Sequence, residues 1–305
     1  RAGVVDRLGL DYESVRAINP SIVYTVISGF GAKGPRSADP AYDGAVQAAA
    51  GMMANNGTAE SGPLRTGYMP VDLMTGMTAA YATTAALLRK QKTGKGQMVD
   101  VAMLDCAITL GSANFSRSEV DDIPDMLIGN QSITSAPTAS SFPTAEGSIL
   151  TAAIMPNHVE AFFDEIGLKE MLKDPKFATR EARIENKEIV RDAMIEALKS
   201  DTAENWEKRL APRGVPVAKI NSVKETARLE QLQYRNILTA VPAAKGMANG
   251  YKLPGAPFTN SEDGPEVMRP APVLGQHTVE ILEEIGIDKS TISTLAAEGV
   301  ICKAD

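Results

Sequence analysis

A strand, two helices and a second strand near the start of the chain set the strongest limit on its fold. Residues 21–27 form a near-continuous run of β-branched and aromatic side chains, which is typical of a buried parallel strand. A small-residue helix is predicted from about residue 42 to 53, and a long helix from Asp72 to about Lys92. Residues 97–103 then alternate like a strand. This order of elements predicts an α/β fold with a mainly parallel sheet.

A second, smaller α/β unit is predicted further along the chain. Residues 116–141 are rich in Ser, Thr, Pro and Asp, which indicates a linker or a long crossing loop. After it we expect a strand over residues 148–154, a helix capped by Asn157, and a later helix opened by Asp201 that contains Trp206. Both caps are inferred from a Glu three residues further on, which is the capping-box spacing.

The last part of the chain is predicted to be rich in loops. Residues 238–273 contain six prolines, and two short helices are expected at 278–285 and at about 290–298. Four segments follow from these patterns: a large domain at 1–125, a linker at 126–145, a small α/β domain at 146–222, and a linker with a C-terminal return to the large domain at 223–305.

Composition excludes several classes of protein. The net charge of −7 argues against a general nucleic-acid binder, which normally presents a basic face. Only two cysteines, Cys106 and Cys302, and two histidines are present, so we expect neither a disulfide framework nor a Cys/His zinc site, and a cytoplasmic location. The most apolar stretch, residues 73–88, is too short for a comfortable membrane span, so no membrane partner is expected.

A glycine motif follows the first predicted strand. Gly29-Phe30-Gly31-Ala32-Lys33-Gly34 matches G-x-G-x-x-G, the pattern of dinucleotide-binding folds. That fingerprint requires its third glycine inside a helix, whereas here Pro35 follows at once and Asp39-Pro40 keeps the chain extended. The motif therefore gives only weak support for an NAD-dependent dehydrogenase, and it equally fits a surface loop or a loop whose backbone approaches a ligand.

Asp72 stands just before an apolar helix and has two interpretations. From the residues alone, a helix N-cap is the better one. A carboxylate at a helix N-terminus is also kept ionised, which suits a nucleophile, provided that it points into a pocket. Tyr42 and Asp43 open the preceding helix, where the plain interpretation is again a cap and its neighbour.

Several segments together resemble the class III CoA-transferase family, which also contains the alpha-methylacyl-CoA racemases. No single segment is decisive, but their order over the whole chain makes the resemblance specific. The segments are Arg1-Ala2-Gly3-Val4-Val5-Asp6-Arg7-Leu8-Gly9, Ser28-Gly29-Phe30-Gly31 with Gly34-Pro35, Ala41-Tyr42-Asp43, Thr93-Gly94-Lys95-Gly96-Gln97 with Val99-Asp100-Val101, Phe142-Pro143-Thr144-Ala145-Glu146-Gly147, Gly214-Val215-Pro216-Val217, and Pro270-Ala271-Pro272 with Leu274-Gly275-Gln276-His277-Thr278.

The resemblance implies more about the fold than the residue patterns do. It implies a Rossmann-like large domain with a mainly parallel sheet, a smaller α/β domain, and an interlocked homodimer with its active site at the interface. It also implies that roughly the first quarter of the family's chain is absent, in line with a start at Arg1 that reads like the middle of an element.

The resemblance also assigns site residues. It makes Asp72 the nucleophile, Arg7 a residue that contacts CoA, and Tyr42 with Asp43 a pair beside the substrate. One basic CoA-contacting position of the family is Pro40 here, which leaves Lys33 or Arg36 as the substitute. A glycine-rich lid of the oxalate-using members has no counterpart, so oxalate and formate are poor substrate candidates.

The expected activity is therefore transfer of CoA from an acyl-CoA to a small carboxylic acid through a covalent aspartyl intermediate. A glycine-bearing loop would supply backbone N–H groups to the oxyanions, and no permanently bound cofactor or metal is expected. Two alternatives stay open: an acyl-CoA racemase of the same fold, and an inactive fragment. Racemisation needs an acid and a base on opposite faces of the substrate, and the racemases have a His where this chain has Tyr42, which favours the transferase.

Overall fold

The computed structural model describes residues 3–122, 124–243, 246–264 and 269–302 of the chain. The chain divides into two compact units, Arg1–Lys219 and Ile220–Asp305. The finer division at residues 125, 145 and 222 stays a prediction.

The described residues form short helices and strands, with one long helix. The helices are α1 (Val4–Arg7), α2 (Tyr12–Ile18), α3 (Asp43–Ala49), α4 (Pro70–Thr93), α5 (Met103–Leu110), α6 (Ser112–Asp121), α7 (Pro156–Glu165), α8 (Pro175–Ala178), α9 (Arg180–Glu185), α10 (Lys187–Leu198), α11 (Ala203–Leu210), α12 (Val223–Thr226), α13 (Glu230–Tyr234), α14 (Thr278–Glu284) and α15 (Lys289–Ala297). The strands are β1 (Val23–Ser28), β2 (Gly57–Thr58), β3 (Gly62–Pro63), β4 (Gln97–Ala102), β5 (Ser141–Pro143), β6 (Ser148–Thr151), β7 (Val217–Lys219), β8 (Leu238–Val241) and β9 (Tyr251–Pro254).

Strands β1 and β4 confirm the predicted parallel pairing. They run in register from Val23 opposite Gln97 to Ser28 opposite Ala102. Close approach of the chain requires a glycine beside this pair, because a Cβ on Gly96 would collide with the carbonyl of Ile22. The α/β class is thus confirmed for this region, while the Rossmann-like topology and the interlocked dimer stay predictions.

Helix α4 runs alongside this two-stranded sheet from one end to the other. It packs against both β1 and β4, and the hydroxyls of Thr25 and Thr83 lie 2.6 Å apart where it crosses β1. Its left-handed C-cap, Gly94, stands three residues before β4 begins, so the helix ends at the amino end of that strand. The start of α4 therefore lies toward the carboxyl ends of β1 and β4, which is where α/β sheets carry their ligand sites.

Three apolar clusters of described residues stabilise the first unit: the aromatic core, the site core, and a small cluster of Ala79, Val101 and Cys106. The aromatic core, between residues 142 and 215, packs four aromatic side chains that are essentially inaccessible to solvent: Phe142, Phe162, Phe163 and Trp206. The site core joins α3, the start of α4, and α5, and it contains only five buried residues: Val46, Ala50, Val71, Met103 and Ala107.

The region of the aromatic core contains strands and helices where they were predicted, with different helix starts, while its standing as a separate smaller domain stays a prediction. Strands β5, β6 and β7 form an antiparallel sheet in that order, and Val190, Met194 and Leu198 bury one face of α10 as predicted. The prediction that Asn157 caps a helix is wrong, because α7 begins one residue earlier, at Pro156, after an extended Met155. Asp201 is also not the cap of α11. The side chain of Thr202 fills that role, and Asp201 accepts hydrogen bonds beside it.

The second unit contains a hairpin that the proline-rich sequence did not predict. Strands β8 and β9 pair antiparallel, from Leu238 opposite Pro254 to Val241 opposite Tyr251. The prolines did not prevent this pairing, because Pro254 lies at the end of its strand, where no ladder donor is required. The two terminal helices are confirmed as α14 and α15, and at the start of α14 the His277 Nδ1 lies within hydrogen-bond distance of Glu280, at 2.9 Å.

Candidate active site

Asp72 lies in the first turn of α4 with its side chain exposed. The helix begins at Pro70, a residue suited to the first helical position, and the capping position is Met69, which makes no side-chain capping bond. The interpretation of Asp72 as the helix cap is therefore wrong. Its carboxylate is not used to satisfy the start of the helix and is presented to the surroundings.

Asp43 performs the capping role instead, from a different helix. One of its oxygens, Oδ2, accepts hydrogen bonds from the backbone N–H groups of Val71 at 2.9 Å and Asp72 at 3.0 Å. These are two of the four N–H groups at the start of a helix that have no partner within it. The Asp43 residue is 6% exposed, so its charge is compensated by these bonds and by the positive end of α4.

A buried glutamine holds the other oxygen of Asp43. Gln47, one turn further along α3, is 1% exposed and donates from Nε2 to Asp43 Oδ1 at 2.5 Å. The same amide donates to Thr66 Oγ1 and accepts from the Thr66 backbone N–H, both at 3.0 Å. These hydrogen bonds thus link the start of α3, the start of α4 and the segment before α4.

Tyr42 is the exposed member of the predicted pair. It is the N-cap residue of α3, its backbone carbonyl accepts from the N–H groups of Ala45 and Val46, and the residue is 83% exposed. The neighbouring Ala41 packs against Gly29 so closely that a Cβ on Gly29 would collide with the Ala41 methyl. The contact places Tyr42 next to the carboxyl end of β1.

The glycine motif after β1 is a loop with internal hydrogen bonds. No helix begins within residues 29–34, so the structural context of a dinucleotide fingerprint is absent from this part of the chain. The Gly31 N–H donates to Ser28 Oγ and the Ala32 N–H donates to Asp100, both at 3.0 Å. Those two N–H groups are therefore already used, and a loop contribution to an oxyanion site must come from other positions.

The two cations considered for CoA phosphate contacts differ in their environment. The guanidinium of Arg36 stacks on Phe30, 3.8 Å from the ring centre, and pairs with Asp39 at 2.9 Å. Lys33 lines a cavity of about 510 Å³ beside β1. The cavity also takes part of its wall from residues of α1, the helix whose last residue is the exposed Arg7.

The structure thus brings together three of the four predicted site residues. Tyr42, Asp43 and Asp72 lie at adjoining helix starts. Among the described residues, no hydrogen bond or ion pair joins Arg7 to them. The sequence did not identify Gln47 and Thr66, and the single available signal was a glutamine on the otherwise small and apolar stretch of α3.

Two properties of the described residues concern metal and membrane partners. No group of three or more His, Cys, Asp or Glu side chains is placed to hold a metal ion. None of the described helices has the length and apolar character needed to cross a membrane. The cytoplasmic location stays a prediction.

Comparison with known proteins identifies the family. The family model described as CoA-transferase family III matches residues 1–278. The chain is 30% identical over 287 residues to succinate–glutarate CoA-transferase of Agrobacterium fabrum, and 32% identical over 287 residues to acetyl-CoA:oxalate CoA-transferase of Acetobacter aceti. The chain belongs to the class III CoA-transferase family, and the predicted resemblance is confirmed.

The chain spans about two thirds of the length of these relatives. The alignments cover 92% of this chain and 69% of the Agrobacterium protein, and 93% and 72% for the Acetobacter protein. An acyl-CoA transferase of Fusarium pseudograminearum is 30% identical over 99% of this chain and 66% of its own length.

Solved structures agree on the fold. A CAIB/BAIF family protein from Brucella suis superposes with a TM-score of 0.79 at 27% identity, covering 93% of this chain and 73% of that one. Rv3272 from Mycobacterium tuberculosis gives a TM-score of 0.78 at 25% identity, covering 92% and 74%.

Proposed function

We propose that this protein transfers CoA from an acyl-CoA donor to a carboxylic acid, with Asp72 as the covalent nucleophile. The observation that carries the proposal is the exposed Asp72 carboxylate at the start of α4. Because Asp43 caps this helix, the Asp72 side chain is not needed for capping. Relatives with 30% and 32% identity are named CoA-transferases, which supports the same activity.

The first half of the reaction forms aspartyl-CoA. An Asp72 oxygen attacks the thioester carbonyl of the donor, the carbon–sulfur bond breaks, and CoA leaves as a thiolate with Asp72 in a mixed anhydride. The thiolate then attacks the Asp72 carbonyl carbon. The bond between that carbon and the bridging oxygen, which came from Asp72, breaks, and the donor acid leaves as a carboxylate that carries this oxygen.

The second half repeats these steps in reverse with a different acid. The acceptor carboxylate attacks the carbonyl of aspartyl-CoA and expels the thiolate, which then attacks the acceptor carbonyl of the new anhydride. The products are the acceptor's CoA ester and a regenerated Asp72 carboxylate. Every step exchanges acyl groups between carboxylate and thiolate, so the proposed sequence requires no redox or metal chemistry.

The other predicted site residues take supporting roles in this proposal. Tyr42, exposed beside the carboxyl end of β1, borders the substrate acyl group. Lys33 contacts phosphates of CoA from the wall of the cavity beside β1, and Arg7 contacts them from the end of α1, whose preceding residues line the same cavity. A substrate contact by Asp43 stays a prediction from the sequence, because its carboxylate is buried and both oxygens already accept hydrogen bonds.

We further propose that the working protein is a homodimer. An apolar stripe on α4 supports this, since Leu73, Met77 and Tyr81 stand one turn apart and are largely exposed, with Tyr81 at 77%. Exposed apolar surface of this regularity is typical of an interface. The stripe begins at the residue after Asp72, so a second copy seated on it would also border the nucleophile.

Trapping the intermediate tests the nucleophile. The full-length protein that carries this chain is incubated with acyl-CoA and then with hydroxylamine, which converts either aspartyl intermediate to a hydroxamate that mass spectrometry can locate. We expect the label on Asp72, and we expect Asp72→Ala to reduce transfer by at least about 10³-fold, as loss of a covalent nucleophile does. Glu188→Ala, which removes an exposed carboxylate from the first turn of α10, is the control that should leave transfer unchanged.

A panel of substrates then defines the donor and acceptor. Dicarboxylic acids come first, because the relatives are named for succinate, glutarate and oxalate. Oxalate and formate test the expectation that they are poor substrates. A label on another residue, or exchange of the substrate α-proton with deuterated water without any transfer, would overturn the proposal in favour of a different nucleophile or a racemase.

A further inference from the structure

We infer that Asp43 is a positioning residue for the nucleophile: its buried carboxylate, oriented by Gln47, holds the backbone of Asp72 in the reactive position without contacting the substrate. The inference rests on the proposed role of Asp72.

The hydrogen bonds to Asp43 act on the backbone of the nucleophile itself. Its Oδ2 accepts from the N–H of Asp72 at 3.0 Å and from the N–H of Val71 at 2.9 Å. Val71 is fully buried in the site core. The Cα of Asp72 is therefore fixed on one side by apolar packing and on the other by a charge-assisted hydrogen bond, while its side chain remains exposed.

The position of Asp43 in sequence makes this arrangement different from an ordinary cap. A local cap takes its oxygen from the residue just before the helix, which here is Met69 and offers none. Asp43 reaches α4 from 28 and 29 residues away. Moving the cap to α3 leaves the first turn of α4 without a competing side chain, so the Asp72 carboxylate meets substrate and not its own backbone.

Gln47 holds the orientation of the Asp43 carboxylate toward α4. Its amide donates to Oδ1, and the amide itself is oriented by Thr66, which donates a backbone N–H to Gln47 Oε1. With Oδ1 occupied by Gln47 and Oδ2 by α4, the carboxylate has no rotational freedom left. A displacement of about 1 Å at a reacting group costs roughly 100-fold in rate, so rigidity at this point bears directly on the chemistry.

Each hydrogen bond of this network has a defined donor and acceptor, so exchanging the acid and the amide between positions 43 and 47 tests it. In Asp43→Asn, one end of the new amide is a donor, which must face either the two N–H groups of α4 or the Gln47 amide N–H, so one contact becomes donor against donor. In Gln47→Glu, two carboxylates face each other in a buried site. The double variant Asp43→Asn/Gln47→Glu gives every donor an acceptor again. In it, the carboxylate introduced at position 47 accepts from the new amide at position 43 and from Thr66, while the oxygen of that amide accepts from α4.

The measured quantities are the rate of Asp72 labelling at saturating acyl-CoA and the acyl-CoA concentration that gives half of that rate. We expect Asp43→Asn to lower the labelling rate by about 10- to 100-fold, with the half-saturating concentration changed by less than about twofold. The double variant should recover to within about fivefold of the unmodified protein, a rescue that distinguishes interacting residues from independent ones.

Two further variants separate positioning from stability. Asp288 accepts from the N–H groups of Ser290 and Thr291 at the start of α15, a helix that carries none of the site residues, so Asp288→Asn changes a carboxylate cap of the same kind and the labelling rate should not change. Gln47→Asn, whose shorter side chain cannot reach Asp43, is the milder variant to use if Asp43→Asn fails to fold, and it should lower the rate by about two- to tenfold.

The outcomes are distinct. A label on Asp72 at the unmodified rate in both Asp43→Asn and Gln47→Asn would overturn the inference and leave the proposed function intact. An increased half-saturating concentration at an unchanged rate would make Asp43 a substrate ligand instead. Lack of rescue in a folded double variant would also overturn it. Absence of any label on Asp72 in the unmodified protein would overturn the proposed function, and the inference with it.

Discussion

The aromatic core and the site core lie in the same compact unit, yet they are stabilised in different ways. The aromatic core buries five aromatic side chains, those of Phe142, Phe162, Phe163, Phe177 and Trp206, together with a group of aliphatic ones. The site core has five buried residues, of which Met103 is the largest, and beside it runs the polar chain from Asp72 through Asp43 and Gln47 to Thr66. The first region therefore has the larger buried apolar group, whereas in the second a series of hydrogen bonds links the starts of α3 and α4 and the segment before α4.

The largest predicted effect contrasts a side chain from the aromatic core with one from the exposed stripe of α4. Phe162→Ala should lower the free energy of unfolding by about 3–5 kcal/mol, because a fully buried ring is removed and a cavity remains. Leu73→Ala, at an exposed position, should change it by less than about 0.5 kcal/mol in the monomer. Urea unfolding followed by Trp206 fluorescence measures both. Equal losses would show that the two regions do not differ as described.

The second prediction concerns the stripe as an interface. Met77→Arg places a charge in the middle of the apolar stripe and should raise the dimer dissociation constant by at least about 100-fold, which is about 2.7 kcal/mol. Sedimentation or light scattering across a concentration series gives the constant. Glu188→Arg, an equally exposed change on α10, is the control. An unchanged dissociation constant would mean that the stripe is not the interface.

The third prediction compares a hydrogen bond inside the aromatic core with one at the exposed surface beside β1. Trp206 donates its indole N–H to the Leu198 carbonyl at 2.9 Å inside the aromatic core, so Trp206→Phe leaves a buried carbonyl without a partner and should cost about 1–3 kcal/mol. Tyr24 donates its hydroxyl to the Leu10 carbonyl at 2.5 Å where water can replace it, and Tyr24→Phe should cost less than about 1 kcal/mol. Urea unfolding followed by circular dichroism measures both. Fluorescence is unsuitable here, because Trp206 is the sole tryptophan and one variant replaces it. The reverse order would contradict the comparison.

The smallest predicted effect is a dependence on pH at the edge of the aromatic core. Hydrogen bonds from Arg213 lower the pKa of Asp164 and of Glu165, and a hydrogen bond from Asn205 lowers the pKa of Asp201, with Arg209 adding to the last two. Asp164 and Glu165 end α7, where the helix dipole disfavours negative charge, so the two arginines offset that cost.

The direction of these pKa shifts determines whether stability rises or falls with pH. A carboxylate whose folded pKa is depressed stabilises the fold above its unfolded pKa, and the ordinary values here are 3.8 and 4.5. We therefore expect the thermal midpoint to fall as the pH drops below about 4.5, and to fall less in Arg213→Gln. Added salt should reduce the difference between the two proteins, because these groups lie at the surface. A midpoint independent of pH over this range would contradict the prediction.

Much of the fold near the site was predictable from local patterns. β1 was expected from its apolar run and β4 from its alternating pattern, and α4 was placed within two residues at its start and one at its end. The hairpin of β8 and β9 was missed, because two strands of four residues give too little periodicity to outweigh the surrounding prolines. The caps at Asn157 and Asp201 were wrong for a related reason: several polar residues near a helix start can cap it, and only the backbone course selects one.

The site itself was predictable only in part. The resemblance to the family pointed to Tyr42, Asp43 and Asp72, and the structure places these three at adjoining helix starts. Neither Gln47 nor the role of Asp43 could be inferred, because a hydrogen bond between residues 29 positions apart leaves no periodic trace in the sequence.

By itself the sequence determined that this chain contains a parallel α/β element with an aspartate at the start of a long apolar helix, and that it belongs to a family with that arrangement. Both follow from short-range order, since apolar spacing sets helices and strands and motif order identifies relatives. The tertiary structure alone decided that Asp72 is not its own helix's cap. That decision depends on where α3 packs against α4, because only packing brings the buried carboxylate of Asp43 to the backbone of a residue so distant along the chain.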